Sequence, residues 1–168
     1  MKGEIKMSKK IVNKLLENGM IVVFDVDGVL APYEWGENSH SLSTVDWNLG
    51  FLNGEDLYAN IKPIKKLQKF INKKDKNEVY VCSCGEWFEI FPKTDFCANN
   101  YSIQKENIAI VKNVNDKLTY LDKLCELTKY PQEKIAIVED TVSTLDYIAR
   151  NSDYMTVHVS SFFDLKGE

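Results

Sequence analysis

Five short apolar segments, rich in β-branched residues and bounded by turn-forming residues, constrain most strongly how this chain folds. They are Met20–Asp25, Glu78–Ser83, Asn107–Lys112, Lys134–Glu139 and Met155–Val159. Segments of this length with almost no polar interruption predict strands that are buried on both faces. Between them lie helical patterns, in which apolar residues recur at intervals of three and four. This alternation predicts a doubly wound, Rossmann-like α/β fold around a parallel sheet of about five strands.

Local signals suggest where some of the helices begin. We expect residues 1–19 to form an N-terminal helix that starts at Ser8, because serine is a preferred N-cap residue. Pro63 stands at a first-turn position of the helical pattern before the second strand. Asn115 or Asp116 is expected to cap the helix that precedes the fourth strand.

The stretch Ala31–Asn60 has no clear period and is polar and aromatic. We predict that it is a small insertion, or flap, after the first strand, and that residues 1–168 form a single domain, since 168 residues is close to one domain's length. Its aromatic residues include Trp35, Trp47 and Tyr58. These side chains either stack on the sugar or base of a ligand or pack between the flap and the core, and packing is the favoured interpretation.

Composition narrows the choice of partners and compartment. The formal net charge is −4, and Arg150 is the sole arginine among 21 basic residues. This argues against general nucleic-acid binding, which needs clustered basic side chains. We expect no membrane association, because no apolar run approaches the ~20 residues of a spanning helix. The four cysteines, with no signal peptide predicted, indicate reduced thiols and a cytoplasmic protein.

Acidic and small hydroxyl side chains stand where three of the predicted strands end. Asp25 and Asp27 follow the first strand, Ser83 ends the second, and Glu139 and Asp140 end the fourth. Ligands of a doubly wound sheet bind at the carboxyl ends of its strands. Carboxylates that converge there form a hard oxygen site of the kind that Mg²⁺ prefers.

These segments resemble the motifs of the haloacid dehalogenase-like (HAD) phosphohydrolase superfamily. The run from Ile21 to Leu30, with its Asp25-Val26-Asp27-Gly28 core, is similar to the first motif. Ser83 is similar to the second motif, and Ile135 to Thr141 resembles the fourth. The third motif is a lysine upstream of the fourth, which Lys117 matches best, with Lys112 and Lys105 as weaker alternatives. The resemblance extends from Met20 to about Val159 and points to a small-cap or capless phosphatase.

The resemblance implies a role for each matched residue. Asp25 would be the nucleophile, and Asp27 the general acid and later the general base. Ser83 and Lys117 would bind the phosphoryl oxygens. Mg²⁺ would be held by Asp25, by the backbone carbonyl of Asp27 and by Asp140, with Glu139 as an outer ligand.

Two features of the fourth motif leave alternatives open. Asp140 could instead cap the helix that starts near Thr141. Many family members carry a further acid four or five residues after the aspartate, where this chain has Thr144 and Leu145. Asp146 lies one residue beyond that position.

The implied function is a Mg²⁺-dependent phosphatase that hydrolyses a phosphate monoester through an aspartyl-phosphate. Its substrate is a small molecule or the phosphorylated end of a macromolecule. A flap of 30 residues is too short for a full helical cap, so the site is open, covered by the flap, or covered by a neighbouring subunit of a homo-oligomer. Two alternatives remain: a phosphomutase or phosphonate-cleaving enzyme on the same scaffold, and a catalytically idle regulatory protein that binds a phosphorylated ligand.

Overall fold

A parallel β-sheet lies at the centre of the computed structural model, which describes residues 4–32 and 42–163. Within those residues the sheet has five strands: β1 (Ile21–Phe24), β2 (Val79–Cys84), β3 (Ile108–Val111), β4 (Ile135–Glu139) and β5 (Met155–His158). Their order is β3-β2-β1-β4-β5, and every neighbouring pair is parallel. The predicted doubly wound α/β sheet is confirmed, with all five strands inside the predicted segments or within one residue of them.

Helices cover both faces of this sheet. They are α1 (Glu4–Leu15), α2 (Thr44–Leu52), α3 (Lys65–Ile71), α4 (Ile90–Tyr101), α5 (Val114–Thr128) and α6 (Val142–Asn151). No helix in the described ranges combines the length and the apolar character needed to span a bilayer.

Three predicted helix starts are wrong. Pro63 lies one residue before Ile64, the N-cap of α3, and not in the first turn of that helix. Helix α1 already runs from Glu4, because the residues before Ser8 are good helix formers and the helix continues through it. Helix α5 is capped by Asn113, whose side chain accepts a hydrogen bond from the backbone N–H of Asp116 at 3.0 Å. Asn115 and Asp116 therefore lie in the first turn, where their own backbones are already helical.

The core consists of two layers, one on each face of the sheet. Successive side chains of a strand point to opposite faces. Val22 and Phe24 accordingly pack in the layer beneath α1, α3 and α4, whereas Ile21 and Val23 pack in the layer beneath α5 and α6. All four side chains are fully buried, which explains why the strand reads as one continuous apolar run.

The described part of the flap contains a helix, α2, that the sequence pattern did not reveal. Trp47 and Phe51 of α2 pack inward, with Phe51 against Phe88 at 5.7 Å between ring centroids. Val45, Leu49 and Leu52 of the same helix are exposed, so apolar residues occupy both of its faces and no amphipathic period results.

Aromatic packing, the favoured interpretation of the flap residues, is confirmed for Trp47 and Tyr58. Their rings meet edge to face at 5.5 Å, and Tyr58 is 2% exposed. Trp35 lies outside the described residues. The described flap therefore forms an aromatic extension of the core.

Candidate functional site

A tight loop after β1 carries Asp25 and Asp27 to the carboxyl edge of the sheet. The Asp25 N–H donates to the Val138 carbonyl at 2.9 Å and so continues the pairing of β1 with β4. The chain then turns back as the Ala31 N–H donates to the Val26 carbonyl at 2.8 Å. Gly28 adopts a φ of +75° in this turn, a conformation that glycine reaches without steric cost. Ser83, Glu139 and Asp140 reach the same edge, because β2 and β4 flank β1 and run parallel to it.

A buried ion-pair network joins the first, third and fourth motif residues. The Lys117 Nζ lies 2.9 Å from Asp25 Oδ1 and 2.5 Å from Glu139 Oε2. All three residues are at least nine-tenths buried. Helix α5 delivers this lysine across 92 residues of sequence to the end of β1.

The network carries more negative charge than Lys117 neutralises. Oxygens of Asp25, Glu139 and Asp140 lie within 4.8 Å of one another. Burial raises the pKa of Asp25, Lys117 lowers it, and the carboxylates of Glu139 and Asp27 raise it further, so that the net shift is upward. For Lys117, burial lowers the pKa but the two carboxylates raise it more, which keeps the ammonium charged.

This donor set fits a divalent cation. Crowded carboxylate oxygens around an uncompensated negative charge are what Mg²⁺ binds in proteins. Glu139 already accepts hydrogen bonds on both oxygens, from Lys117 and from the backbone N–H groups of Asp140 and Thr141. Asp25 and Asp140 are therefore better placed than Glu139 to bind the ion directly.

The imidazole of His158 contacts the Asp140 carbonyl at 3.0 Å and so supports the loop that carries this aspartate.

Asp27 is held separately from that acidic cluster by two residues whose contact with it the sequence did not predict. The Tyr58 hydroxyl donates to Asp27 Oδ1 at 2.5 Å, and Lys93 Nζ lies 2.7 Å from Asp27 Oδ2. One partner comes from the flap and the other from α4. Their contacts constrain the carboxylate on both oxygens.

Lys93 is 1% exposed and connects Asp27 with the start of α4. Its ammonium also donates to the Cys84 carbonyl and lies 3.3 Å from Glu89 Oε1. Burial lowers the pKa of Lys93, but Asp27 and Glu89 raise it more, so the net shift is upward. The sequence did contain a signal: Glu89 and Lys93 are four residues apart, on the helix face that also presents buried Phe96 and Cys97.

Gly85 provides the space that Lys93 requires. A Cβ at position 85 would lie 2.9 Å from Lys93 Nζ and 3.1 Å from Glu89 Oε2. A side chain at position 85 would therefore force the Lys93 ammonium or the Glu89 carboxylate to shift.

Of the other residues predicted to bind phosphate, Ser83 lies at the site, whereas the alternative lysines lie elsewhere. Ser83 is 1% exposed and lies at the site, where its hydroxyl approaches the Cys84 carbonyl at 3.4 Å. Lys105 instead pairs with Asp95 on the exposed surface. Lys112 lines a different depression, together with Asp116 and Tyr120.

The structure decides whether Asp140 caps α6 and whether Asp146 belongs to the site. The N-cap of α6 is Thr141, so the interpretation of Asp140 as a helix cap is wrong. Asp146 pairs with Arg150 along the exposed face of α6 and takes no part in the site. Thr144 lies at the site instead.

These side chains surround a cavity of about 170 Å³ at the carboxyl edge of the sheet. Its lining residues are Asp25, Asp27, Ser83, Cys84, Lys117, Glu139, Asp140, Thr141 and Thr144. None of them is aromatic or large and aliphatic. The cavity is smaller than the ~300–1,000 Å³ typical of small-molecule pockets, so it suits a compact anion more than a whole organic ligand.

One solved structure shares the α/β fold of this chain. The protein DsGPDH of Dunaliella salina superposes with a TM-score of 0.55 and 17% identity, over 88% of this chain and 24% of that protein. This chain thus spans about a quarter of the algal protein's length. The HAD domain of the effector Lem4 from Legionella pneumophila gives a TM-score of 0.46 at 17% identity, over 83% of this chain and 84% of that domain. No protein-family model and no curated protein matches the sequence. The superposition on DsGPDH shows a shared fold, and the HAD-like assignment stays a prediction from the motifs.

Proposed function

We propose that this protein is a Mg²⁺-dependent phosphatase that hydrolyses a phosphate monoester through an aspartyl-phosphate. One observation carries the proposal: Asp25 lines a polar cavity beside Lys117, Glu139 and Asp140, at the carboxyl edge of a HAD-like sheet. A carboxylate nucleophile, a fixed cation and an acidic metal site are the groups that phosphoryl transfer to a carboxylate needs.

The reaction proceeds in two displacements. An oxygen of Asp25 attacks phosphorus, the bond to the leaving oxygen breaks, and the Asp27 carboxyl gives its proton to that oxygen. The Asp27 carboxylate then takes a proton from water, whose oxygen attacks the phosphorus of the aspartyl-phosphate. The second displacement releases inorganic phosphate and restores the Asp25 carboxylate.

Lys117 and Ser83 bind the phosphoryl group. A lysine ammonium has three N–H donors, of which Asp25 and Glu139 accept two. The third donor is available to a phosphoryl oxygen, where it stabilises the charge that accumulates in the transition state. Among the described residues the Ser83 hydroxyl makes only a long contact, of 3.4 Å, with the Cys84 carbonyl, and it can turn toward the same phosphoryl group.

Magnesium would be bound directly by the carboxylates of Asp25 and Asp140 and by the backbone carbonyl of Asp27. Glu139 would lie nearby without binding the ion directly. When bound, the ion neutralises the phosphate and orients it for attack. Glu139 then acts mainly through Lys117, whose ammonium it holds close to Asp25.

The environment of Lys93 argues against the phosphonate-cleaving alternative. Such a reaction requires a neutral lysine amine that forms a Schiff base. Lys93 is paired with Asp27 and Glu89, and the pKa of its ammonium is raised. It is therefore a permanent cation rather than a nucleophile. The mutase alternative depends on a helical cap after the first motif, and the described part of the flap contributes the single helix α2.

The test is phosphate release from a panel of phosphate esters, with and without Mg²⁺, by the native protein and by Asp25→Asn. We expect Mg²⁺-dependent release that falls on the order of 10⁴-fold in Asp25→Asn, as for other lost nucleophiles. Asp146→Asn is the matched control and should retain full activity, because Asp146 lies on the exposed face of α6. Unchanged activity in Asp25→Asn would overturn the assignment. Tight binding of phosphorylated ligands without turnover would favour the regulatory alternative.

A further inference from the structure

Strand β3 forms one edge of the sheet and carries no polar or charged side chain. Its four residues, Ile108 to Val111, are all apolar and half-buried. Among the described residues, no strand pairs with the outer side of β3. The other edge strand, β5, includes Thr156 and His158 instead. Proteins usually protect an edge strand with charge or proline, because its unpaired backbone groups can bind another strand. Strand β3 has neither protection.

The backbone of β3 shows which of its groups face the open edge. The Gly85 N–H donates to the Val111 carbonyl at 2.9 Å, so the backbone groups of Val111 face β2. Successive residues of a strand turn these groups to opposite sides. Ala109 therefore also faces β2, whereas Ile108 and Ile110 present their N–H and C=O groups to the open edge.

A depression of about 310 Å³ lies beside this edge, between β3 and α5. Val111 and Lys112 line it from the end of the strand, and Asp116, Tyr120 and Lys123 line it from the helix. Stable interfaces bury about 800 Å² on each partner, which is more than a four-residue ladder provides. The depression supplies further surface for a molecule that pairs with β3.

We propose that two copies of this chain associate through β3. The two strands pair antiparallel across a two-fold axis and join the two five-stranded sheets into one. Such an axis makes the same patch serve both copies, so the patch must complement itself. The inference does not depend on the proposed phosphatase activity.

Backbone direction and charge select one register for this pairing. Residues that exchange hydrogen bonds across an antiparallel ladder must both face the partner strand. With Ala109 on the axis, Ile108 of each copy pairs with Ile110 of the other. Glu106, in the turn before β3, then lies near the second copy's Lys112, just after β3, and both side chains are exposed.

The other two registers that satisfy the backbone do not match the charges. A ladder centred on Ile108 would place Glu106 opposite Ile110 of the second copy. A ladder centred on Ile110 would place Lys112 opposite Ile108. The register with Ale109 on the axis is therefore the one that leaves the apolar residues opposite each other and the two charges side by side.

The charges that flank β3 and line the depression balance within one copy. Lys105 pairs with Asp95 at 2.6 Å. The remaining four include two of each sign: Glu106, Lys112, Asp116 and Lys123. Association through this patch therefore does not bring together two surfaces of the same sign.

Sedimentation velocity of the full chain tests the association. We expect the native protein to form a dimer in the micromolar range. Glu106→Lys should raise the Kd of the dimer at least tenfold at low salt, because it places a second ammonium beside Lys112. The double variant Glu106→Lys with Lys112→Glu should restore the Kd to within about threefold. Glu133→Lys is the matched control and should change nothing, since Glu133 is exposed in the equivalent turn before the interior strand β4.

A cysteine on the axis tests the register. Opposite residues that do not exchange hydrogen bonds have Cα atoms about 4.5 Å apart, which a disulfide can span. Ala109→Cys should therefore form a disulfide-linked dimer on mild oxidation, detected by non-reducing electrophoresis. In Ile108→Cys and Ile110→Cys the two cysteines would lie on a diagonal, about 7–8 Å apart, and should not link. The native protein, with its four free cysteines, gives the background.

Several results would overturn the proposal. A native protein that stays monomeric throughout the micromolar range is one. A dimer that Glu106→Lys leaves unchanged, or that links through Ile108→Cys or Ile110→Cys rather than Ala109→Cys, is another. An extended apolar peptide that binds at β3 of a monomer would assign this edge to a different partner and would equally contradict it.

Discussion

At the residue scale, the site is defined by charged side chains that are buried because they are paired. Lys117 and Lys93 are at most 3% exposed, and each contacts two carboxylates. Burying an ammonium is costly unless opposite charges and hydrogen bonds replace its hydration. The two lysines thus separate the acids of the site: Lys117 holds Asp25, and Lys93 holds Asp27.

The first prediction concerns how Asp27 is positioned. Removing the ammonium in Lys93→Met should lower kcat on the order of 10²-fold, the scale of general acid–base catalysis, while KM changes by no more than a factor of about three. Tyr58→Phe keeps the packed ring and removes only the hydroxyl that contacts Asp27 Oδ1. It should lower kcat about tenfold, which corresponds to one hydrogen bond to a charged group. Steady-state kinetics on p-nitrophenyl phosphate measure both effects.

Lys105→Met is the control for charge removal, because Lys105 pairs with Asp95 on the exposed surface. Its kinetics should match those of the native protein. Circular dichroism establishes whether Lys93→Met remains folded, and Tyr58→Phe keeps the prediction testable if it does not. A rise in KM with unchanged kcat in Tyr58→Phe would show that the hydroxyl binds substrate rather than orienting Asp27.

At the scale of elements, a second buried lysine network ties the ends of α1 and α3 together. Lys74 Nζ donates to the carbonyls of Glu17 and Met20 at 2.9 and 2.7 Å, and to Glu78 Oε2 at 2.6 Å. The other carboxylate oxygen of Glu78 accepts a hydrogen bond from the Gly19 N–H. The entries to β1 and β2 are thereby joined at the amino edge of the sheet, opposite the site.

We therefore expect Lys74→Met to lower the free energy of unfolding by about 3–5 kcal/mol, because it leaves Glu78 buried without its partner. The specific activity of the folded protein should not change, since this network lies at the edge away from Asp25. Urea denaturation measures the stability difference. Lys73→Met, at an exposed neighbouring position, should stay within about 0.5 kcal/mol of the native protein. Equal stability of the two variants would contradict the network's structural role.

At the scale of the whole molecule, the surplus of negative charge at one edge couples metal binding to stability. Three carboxylates surround one ammonium at the site, so a divalent cation relieves repulsion that the folded chain otherwise retains. A ligand that binds only the folded state stabilises it by mass action.

Saturating Mg²⁺ is thus expected to raise the melting temperature. At a concentration a hundredfold above Kd the gain is about 2.7 kcal/mol, which is roughly 5–10 °C for a chain of this size. Asp140→Asn should lose most of this shift, whereas Asp153→Asn, at an exposed position away from the acidic cluster, should keep it. Thermal unfolding with Mg²⁺ and with EDTA provides the measurement, and an equal shift in Asp140→Asn would refute a metal site at this residue.

Much of the fold and part of the site were predictable from the sequence, because their signals are local. The strands are continuous apolar runs, and Asp25, Ser83 and Glu139 follow such runs directly. Parallel strands bring their carboxyl ends to one edge whatever the details of packing, so these residues were expected to converge. Helix α2 was missed because apolar side chains on both of its faces leave no period to detect.

The tertiary structure decided which partners each charged residue has. Tyr58 and Lys93 meet at Asp27 from positions 31 residues away and 66 residues away in sequence. The sequence around Tyr58 or Lys93 contains no local pattern that predicts a contact with Asp27. Lys117 was selected from three candidate lysines by the packing of α5 on the sheet, which buries it beside Asp25. The periodicity that predicts helices and strands depends on neighbouring residues. The partner of a buried charge is fixed only when distant parts of the chain pack together.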